Sequence, residues 1–212
     1  MTDDVSRETA LTLAGSRGAL LEQYAHILAT DGVEHGMIGP REVPRLWDRH
    51  LLNCLVVAPA IPDGWRVADV GSGAGLPGLV WAVARPDLQI TLIEPLLRRT
   101  RFLENTIAEL GIENVTIRRQ RAEDVDETYD LVTGRAVAAL DKLAHWCWPL
   151  VRTGGVMAAL KGQSAPAEIT AAKPVLGRLG IKHAEVRTYG DAEIPTTVVV
   201  LAARAADATQ LS

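Results

Sequence analysis

The feature that most constrains this chain is a short apolar run that ends in an acid and opens into a glycine-dense turn. It reads Val67-Ala68-Asp69-Val70-Gly71-Ser72-Gly73-Ala74-Gly75-Leu76-Pro77-Gly78. Glycines reach positive φ and let a ligand lie directly against the main chain. Pro77 stands where a new helix begins, since its missing N–H would be unpaired at a first helical position anyway. A second apolar run, 88–93, leads into Glu94. Strand, glycine turn, helix, strand and acid are the parts with which a parallel sheet builds a nucleoside site at its carboxyl edge. The acid is placed to accept both ribose hydroxyls.

Gly73-Ala74-Gly75-Leu76-Pro77-Gly78 also fits G-x-G-x-x-G, which suggests a dinucleotide and hydride transfer. Asp69 argues against that reading, because a pyrophosphate beside the turn disfavours a nearby carboxylate. A cationic ligand favours one, and S-adenosylmethionine carries an ammonium and a sulfonium and no phosphate. The plainer reading of Asp69 is a carboxylate that satisfies backbone N–H groups of the turn. The residues favour methyl transfer over hydride transfer, with the NAD-dependent oxidoreductase kept as the alternative.

A chain of 212 residues with 48% hydrophobic residues can bury a full core. No apolar run approaches the roughly 20 residues that span a bilayer, and the first residues carry no secretory pattern. Cys54 and Cys147 show no metal spacing and read as reduced core residues of a cytoplasmic protein, and the five histidines are scattered. A catalytic metal is not expected. Net charge is −4, yet basic residues cluster locally: across 98–121, six arginines (98, 99, 101, 118, 119, 121) face three glutamates. A second set is Arg41, Arg45, Arg49 and His50, and a third is Lys161, Lys173, Arg178 and Lys182. For Arg101 near Glu104, a solvated helix face is preferred. A tight patch on an acidic body suits a defined RNA target.

Periodicity predicts a helix over 7–30 weakened by Gly15 and Gly18, a loop over 31–40, and a second helix over 42–60. Strands and helices then alternate: strand 66–70, helix 77–85, strand 88–93, helix 96–110, strand 114–119, strand 129–133, helix 139–152, strand 154–161, helix 165–179. That is the order of a doubly wound α/β sheet. Runs 181–189 and 196–203 are joined by a link too short for a helical crossover, so they must pair antiparallel. The expected organisation is a helical extension over 1–62 packed on the core, a catalytic domain over 63–204, and a frayed tail over 205–212.

With these parts placed, the chain resembles the bacterial 16S ribosomal RNA guanine-N7 methyltransferases of the RsmG (GidB) type over about residues 10–203. The likeness rests on the glycine motif from Asp69 to Gly78, on Arg98-Arg99-Thr100-Arg101-Phe102-Leu103, on Arg121-Ala122-Glu123, on Gly134-Arg135-Ala136-Val137-Ala138 and on Leu160-Lys161-Gly162. His50-Leu51-Leu52-Asn53 looks like the family's histidine-bearing stretch before the sheet. Gly134 departs from the serine usual before the Arg-Ala pair; the arginine is retained.

The resemblance implies a class I S-adenosylmethionine-dependent methyltransferase fold, Rossmann-like and mostly parallel with a terminal antiparallel hairpin. It carries the family's cofactor residues onto Gly71, Leu76, Ala122, Glu123 and Arg135, beside Asp69, Gly73 and Glu94 from the motif. The implied substrate is 16S ribosomal RNA or a small-subunit particle, with no membrane and no metal. Guanine N7 has a free lone pair and no proton, so no general acid or base is nominated. His50, Arg135 and Lys161 are the candidates for holding the base or its phosphate. A non-catalytic methyltransferase-like RNA-binding module is the other alternative.

Overall fold

The structure is a computed structural model that describes residues 3–190 and 195–211. Seven strands form one sheet in the order β3-β2-β1-β4-β5-β7-β6. β1 (Arg66–Val70), β2 (Gln89–Ile93), β3 (Val115–Arg118), β4 (Tyr129–Arg135) and β5 (Val151–Lys161) run parallel. β6 (His183–Tyr189) pairs antiparallel with β7 (Thr196–Ala202), which pairs antiparallel with β5. The expected terminal hairpin is present, and its link at 191–194 lies outside the described residues. The last four residues of β1 and of β2 are buried, as strands covered on both faces must be. The chain winds outward through β1, β2 and β3 and then returns to β4 on the other side of β1. Between β1 and β4 the winding direction reverses, which opens a crevice beyond their carboxyl ends.

One face of the sheet is covered by α5 (Gly78–Ala84), α6 (Leu97–Leu110) and the whole N-terminal segment. The other is covered by α7 (Leu140–Cys147) and α8 (Ala165–Arg178). Leu21, Tyr24, Leu51 and Leu55 share one apolar cluster with Leu79, Trp81 and Leu92. Polar ties reinforce it. Tyr24 Oη donates to Ala74 O at 2.7 Å, Trp81 Nε1 to Cys54 O at 2.8 Å, and Arg85 Nη1 to Ile61 O at 2.8 Å. Cys54 and Cys147 are free and buried, as expected.

The N-terminal segment is more broken than its periodicity predicts. The single helix over 7–30 is two, α1 (Asp3–Ala14) and α2 (Gly18–Ala29), separated by a 3₁₀ turn that starts at Gly15 with φ +55°. Only glycine takes that conformation without strain, and the break lets α2 fold back on α1. The loop at 31–40 contains a short helix, α3 (Asp31–Glu34).

The helix expected over 42–60 is a 3₁₀ turn (Pro40–Arg45), a π turn (Leu46–Leu51), a short α4 (Leu52–Leu55) and another 3₁₀ turn (Ala58–Ala60). Side chains claim several of its backbone groups, Asp3 from outside the segment and Asn53 from within it. Asp3 Oδ1 accepts from Trp47 N and Asp48 N, both at 3.0 Å, and Asn53 Nδ2 donates to Asp48 O at 2.8 Å. Side chains that divert helical N–H and C=O groups are a known cause of such irregularity.

Two later boundaries also move. α7 ends at Cys147 because Pro149 follows, and β5 begins at Val151, three residues earlier than expected, with a register shift opposite Tyr129 and Leu131. The expectation of a frayed tail is wrong. Residues Ala205–Ala208 form α9, Ala208 and Leu211 are fully buried, and Gln210 Nε2 donates to Gly154 O at 2.9 Å. Its apolar side chains have a sheet to cover, which periodicity in eight residues cannot reveal.

The Tyr24 hydroxyl is the polar link between the N-terminal helices and the glycine turn. Tyr24→Phe should lower unfolding free energy by about 1–3 kcal/mol, the cost of a buried carbonyl left unpaired. Urea unfolding measures it, and an unchanged midpoint would show that Ala74 O finds another donor.

Candidate active site

The glycine turn between β1 and α5 is held by carboxyl groups from two strands. Gly71, Gly73 and Gly75 all have positive φ, so the turn leaves any regular ladder; it pairs Gly75 N and Leu76 N with Ser72 O and takes partners from β2 and beyond it for Gly71 N and Gly73 N. Asp69 Oδ2 accepts from Gly78 N at 3.0 Å, at the start of α5. A side chain at 78 would place its Cβ 2.8 Å from that same oxygen, so glycine is required there. Pro77 is the N-cap residue of α5, not its first turn. Glu94, just past β2, accepts from Gly73 N and Leu96 N, each at 3.1 Å, and from Arg99 Nη1 at 3.3 Å.

The two carboxyls differ sharply in environment. Asp69 is fully buried, and its Oδ1 has no partner among the described residues. Burial pushes its carboxyl up to about 7 against the pull of the Gly78 N–H. Glu94 is 1% exposed, yet it borders the crevice. Asp69 therefore takes the plainer of its two readings, as a support beneath the turn.

Arg135, the last residue of β4, reaches across the crevice into the π turn. Its Nη2 donates to Arg49 O at 3.0 Å and to His50 Nδ1 at 2.9 Å. Its Nη1 lies 3.4 Å from both His50 O and Cys54 Sγ. Four of five guanidinium hydrogens are thereby spent on the N-terminal segment, and Nε–H is left over. His50 accepts at Nδ1, so its proton sits on Nε2, which faces Glu42 Oε2 at 2.9 Å. Burial and then Arg135 hold the imidazole below its ordinary pKa, outweighing Glu42, so the ring is neutral. Hydrogen bonding from His50 holds the Glu42 carboxyl below its usual range.

These groups surround a cavity of about 650 Å³ at the switch point between β1 and β4. Of the residues named from sequence, Gly71, Gly73, Leu76, Glu94, His50 and Arg135 line it. Asp69 lies beneath it. Ala122 and Glu123 do not line it: they sit in the 3₁₀ turn Ala122–Asp124 after β3, and only their neighbour Arg121 reaches the wall. Lys161 does not line it either. Its Nζ is bound to Ala138 O at 2.7 Å and Glu168 Oε2 at 2.8 Å, and its side chain is only 9% exposed.

The arginines named as a patch also divide. Arg98 is tied to His35 O at 2.6 Å, Arg99 to Glu94, and Arg118 to Glu127 at 2.6 Å. In the second set, Arg45 pairs with Asp48 and Arg49 with Glu42. Arg101, Arg119 and Arg121 are exposed and have no carboxylate partner among the described residues. The Arg101–Glu104 pairing expected on the helix face is not formed.

Comparison with known proteins gives a match to the GidB family, rRNA small subunit methyltransferase G, over residues 17–195. The ribosomal RNA small subunit methyltransferase G of a Nocardioides species is 52% identical over 210 residues, covering 94% of this chain and 84% of its own. That of Salinispora tropica is 53% identical over 204 residues, covering 91% and 84%. The chain belongs to the GidB family. Solved structures agree in fold: the S-adenosylmethionine-dependent methyltransferase SibL has a TM-score of 0.59 at 18% identity, over 85% of this chain and 62% of that one. A precorrin-6y C5,15-methyltransferase from Geobacter metallireducens has 0.54 at 15%, over 79% and 91%. Membership in GidB removes the hydride-transfer reading and the idle binding module.

Several lining residues of this GidB chain were not foreseen. Met37 and Ile38 come from the turn after α3, Leu96 from the start of α6, and Val137 from the loop after β4. Glu42 was not foreseen as the partner of His50. In a regular α-helix eight residues would set Glu42 about 12 Å along the axis from His50, and the 3₁₀ and π turns bring the two together.

Asp69 gives a pH signature of the turn. Its folded pKa lies above the unfolded value, so its contribution to stability is complete below about pH 3.8 and is lost as pH rises toward about 7. Asp69→Asn cannot ionise and lacks that slope. The stability of the variant relative to the parent should therefore rise between pH 4 and 7 in urea titrations. A flat difference across that interval would show that Asp69 is ionised throughout.

Proposed function

We propose that this protein transfers the methyl group of S-adenosylmethionine to N7 of a guanine in 16S ribosomal RNA, acting on the RNA or on a small-subunit particle in the cytoplasm. The observation that carries the reading is one cavity with a buried carboxylate and a glycine turn at one wall and Arg135 with His50 at another. The residues present fit the donor. Leu76, Leu96, Met37 and Ile38 offer apolar walls for an adenosine, and Glu94 has lone pairs left for a ribose diol. Gly71 lines the same cavity and carries no side chain to narrow it. When bound, S-adenosylmethionine supplies the electrophilic methyl carbon on a sulfonium.

The chain's own residues then have to align and to exclude, not to move protons. Guanine N7 attacks with a lone pair and has no proton to lose. His50 suits such a reaction, since both its ring nitrogens are bound within the protein and neither can take a proton from the substrate. Arg135 directs its remaining Nε–H as a donor for an acceptor on the base or on the donor's carboxylate. Holding both reactants in line is worth up to roughly 7–11 kcal/mol in the best intramolecular cases. Arg101, Arg119 and Arg121, without acidic partners among the described residues, are among the cations available to phosphates. Among the described residues no helix is long and apolar enough to cross a membrane, and no cluster of His, Cys, Asp or Glu is placed to hold a metal.

The test is methyl transfer to 16S RNA and to small-subunit particles, with the product mapped. N7-methylguanine is expected; label in adenine or in protein would overturn the reading. In the same assay Glu94→Ala should weaken S-adenosylmethionine binding by about 1.5–3 kcal/mol in calorimetry. Because Glu94 also holds Gly73 N and Leu96 N, its loss should lower the melting temperature too. Unchanged affinity with lowered stability would make Glu94 a support of the turn only.

A further inference from the structure

The loop that joins β4 to α7 is the strained part of the cavity wall. Ala136 has φ +56°, and among the described residues no other non-glycine has positive φ. A residue with a Cβ holds that conformation only where its surroundings over-determine it. Val137 follows, 37% exposed, and covers Gly71 so closely that a Cβ at 71 would lie 2.8 Å from Val137 Cγ2. Arg135, Ala136 and Val137 all line the cavity. The shape of this loop therefore sets the distance between the glycine turn and the Arg135 wall.

What determines that shape is an ion pair on the far side of the loop. Lys161, at the end of β5, donates to Ala138 O at 2.7 Å and to Glu168 Oε2 at 2.8 Å. Glu168, in the first turn of α8, accepts from Leu140 N at 3.1 Å with the same oxygen, and from Ser164 Oγ at 2.9 Å with the other. The N-cap residue of α7 is Ala139, which has no side-chain acceptor, so Glu168 caps α7 from a neighbouring helix. The pair thus grips the loop at two successive points, the 138 carbonyl and the 140 N–H. Burial raises the Glu168 carboxyl, but hydrogen bonds from Lys161 and Ser164 outweigh it and keep the group ionised.

We propose that Lys161 and Glu168 are a positioning pair that locks the β4–α7 loop, and with it Val137 against Gly71, in the geometry required for methyl transfer. Lys161 then acts through the loop and does not touch RNA phosphate. The inference rests on the methyl-transfer reading above, and its test separates the two.

The variants are Lys161→Met, Lys161→Arg and Glu168→Gln in the full chain. The readouts are S-adenosylmethionine affinity by calorimetry, kcat and KM on 16S RNA, and the salt dependence of RNA binding. Lys161→Met should weaken S-adenosylmethionine binding and lower kcat by about 10- to 100-fold, the scale of a small misplacement at the reacting atoms. Its RNA affinity should keep the parent's salt slope. Lys161→Arg, which retains two donors, should recover most of kcat. Adding Glu168→Gln to Lys161→Met should cost far less than Glu168→Gln alone, since the two residues act as a unit.

Should Lys161→Met fail to fold, Lys161→Arg and Glu168→Gln carry the test. Glu168→Gln keeps an acceptor for Leu140 N and should lower kcat with KM for RNA unchanged. A salt slope shallower by about 0.7 with donor affinity intact would make Lys161 a phosphate contact and overturn the proposal. Parental kcat and donor affinity in Glu168→Gln would overturn it as well. A parent protein that binds no S-adenosylmethionine would instead overturn the methyl-transfer reading itself.

Discussion

The structure depends on how the glycine turn between β1 and α5 satisfies its backbone. Its positive φ angles remove it from any regular ladder, and it is too buried for water to serve every group. Partners come from three directions. Asp69 takes Gly78 N from below, Glu94 takes Gly73 N from the side, and Tyr24 gives its hydroxyl to Ala74 O from above. The main chain of β2 adds Ile93 O, which accepts from Gly71 N at 2.8 Å. These partners come from three elements, so ordering one turn fixes the relation of β1, β2 and α2. The N-terminal segment is in this sense a wall of the site, and it shares the apolar cluster of the sheet.

A second consequence is that most of the conspicuous charges are spent on architecture. Arg135 gives four of its five hydrogens to carbonyls, a thiol and an imidazole of the segment that it clasps. Those bonds draw carbonyls 49 and 50 away from helical partners, which accounts for the π turn where periodicity predicts a regular helix. Lys161 is bound to Ala138 O and Glu168. Asp69 is uncharged for much of the pH range because burial opposes its ionisation. Charge in a motif identifies where a chain is under constraint, but not whether the constraint is a ligand or a turn.

This limits what was legible in the sequence. Much of the alternating core could be read because β1, β2 and β7 are short, mostly apolar runs with a glycine or proline boundary. The αL cap at Gly111, with φ +62°, lies where its position predicts. The crevice was legible too, since Gly71, Glu94 and Arg135 lie at or just past strand ends, Leu76 follows in the glycine turn, and all four meet in one cavity. What escaped reading depends on contacts between distant segments. The π turn and the placement of Leu211 involve partners 86 and 24 residues away. Glu42 and Glu168 escaped for the same reason, as each acts on a residue in another element. Ala122 and Glu123 sit in the 3₁₀ turn after β3 and do not line the cavity, because a strand end fixes where a loop begins and not where it goes.

The charge balance of the cavity fits a reaction that needs no proton transfer. In the proposed reaction, attack by guanine N7 moves one positive charge from the donor to the base without creating or destroying any, so no new counter-charge has to appear. Glu94 faces Arg99, while Arg135 contacts no carboxylate and reaches Glu42 only through a neutral ring. A protonated His50 would put a second cation beside the developing charge. It would also lose the lone pair that receives Arg135 Nη2. Burial and Arg135 both hold the imidazole neutral, each for an electrostatic reason that serves the other. The wall built from His50 and Arg135 thus keeps its shape only while it keeps its charge low. Alignment then remains as the term through which such a site accelerates the transfer.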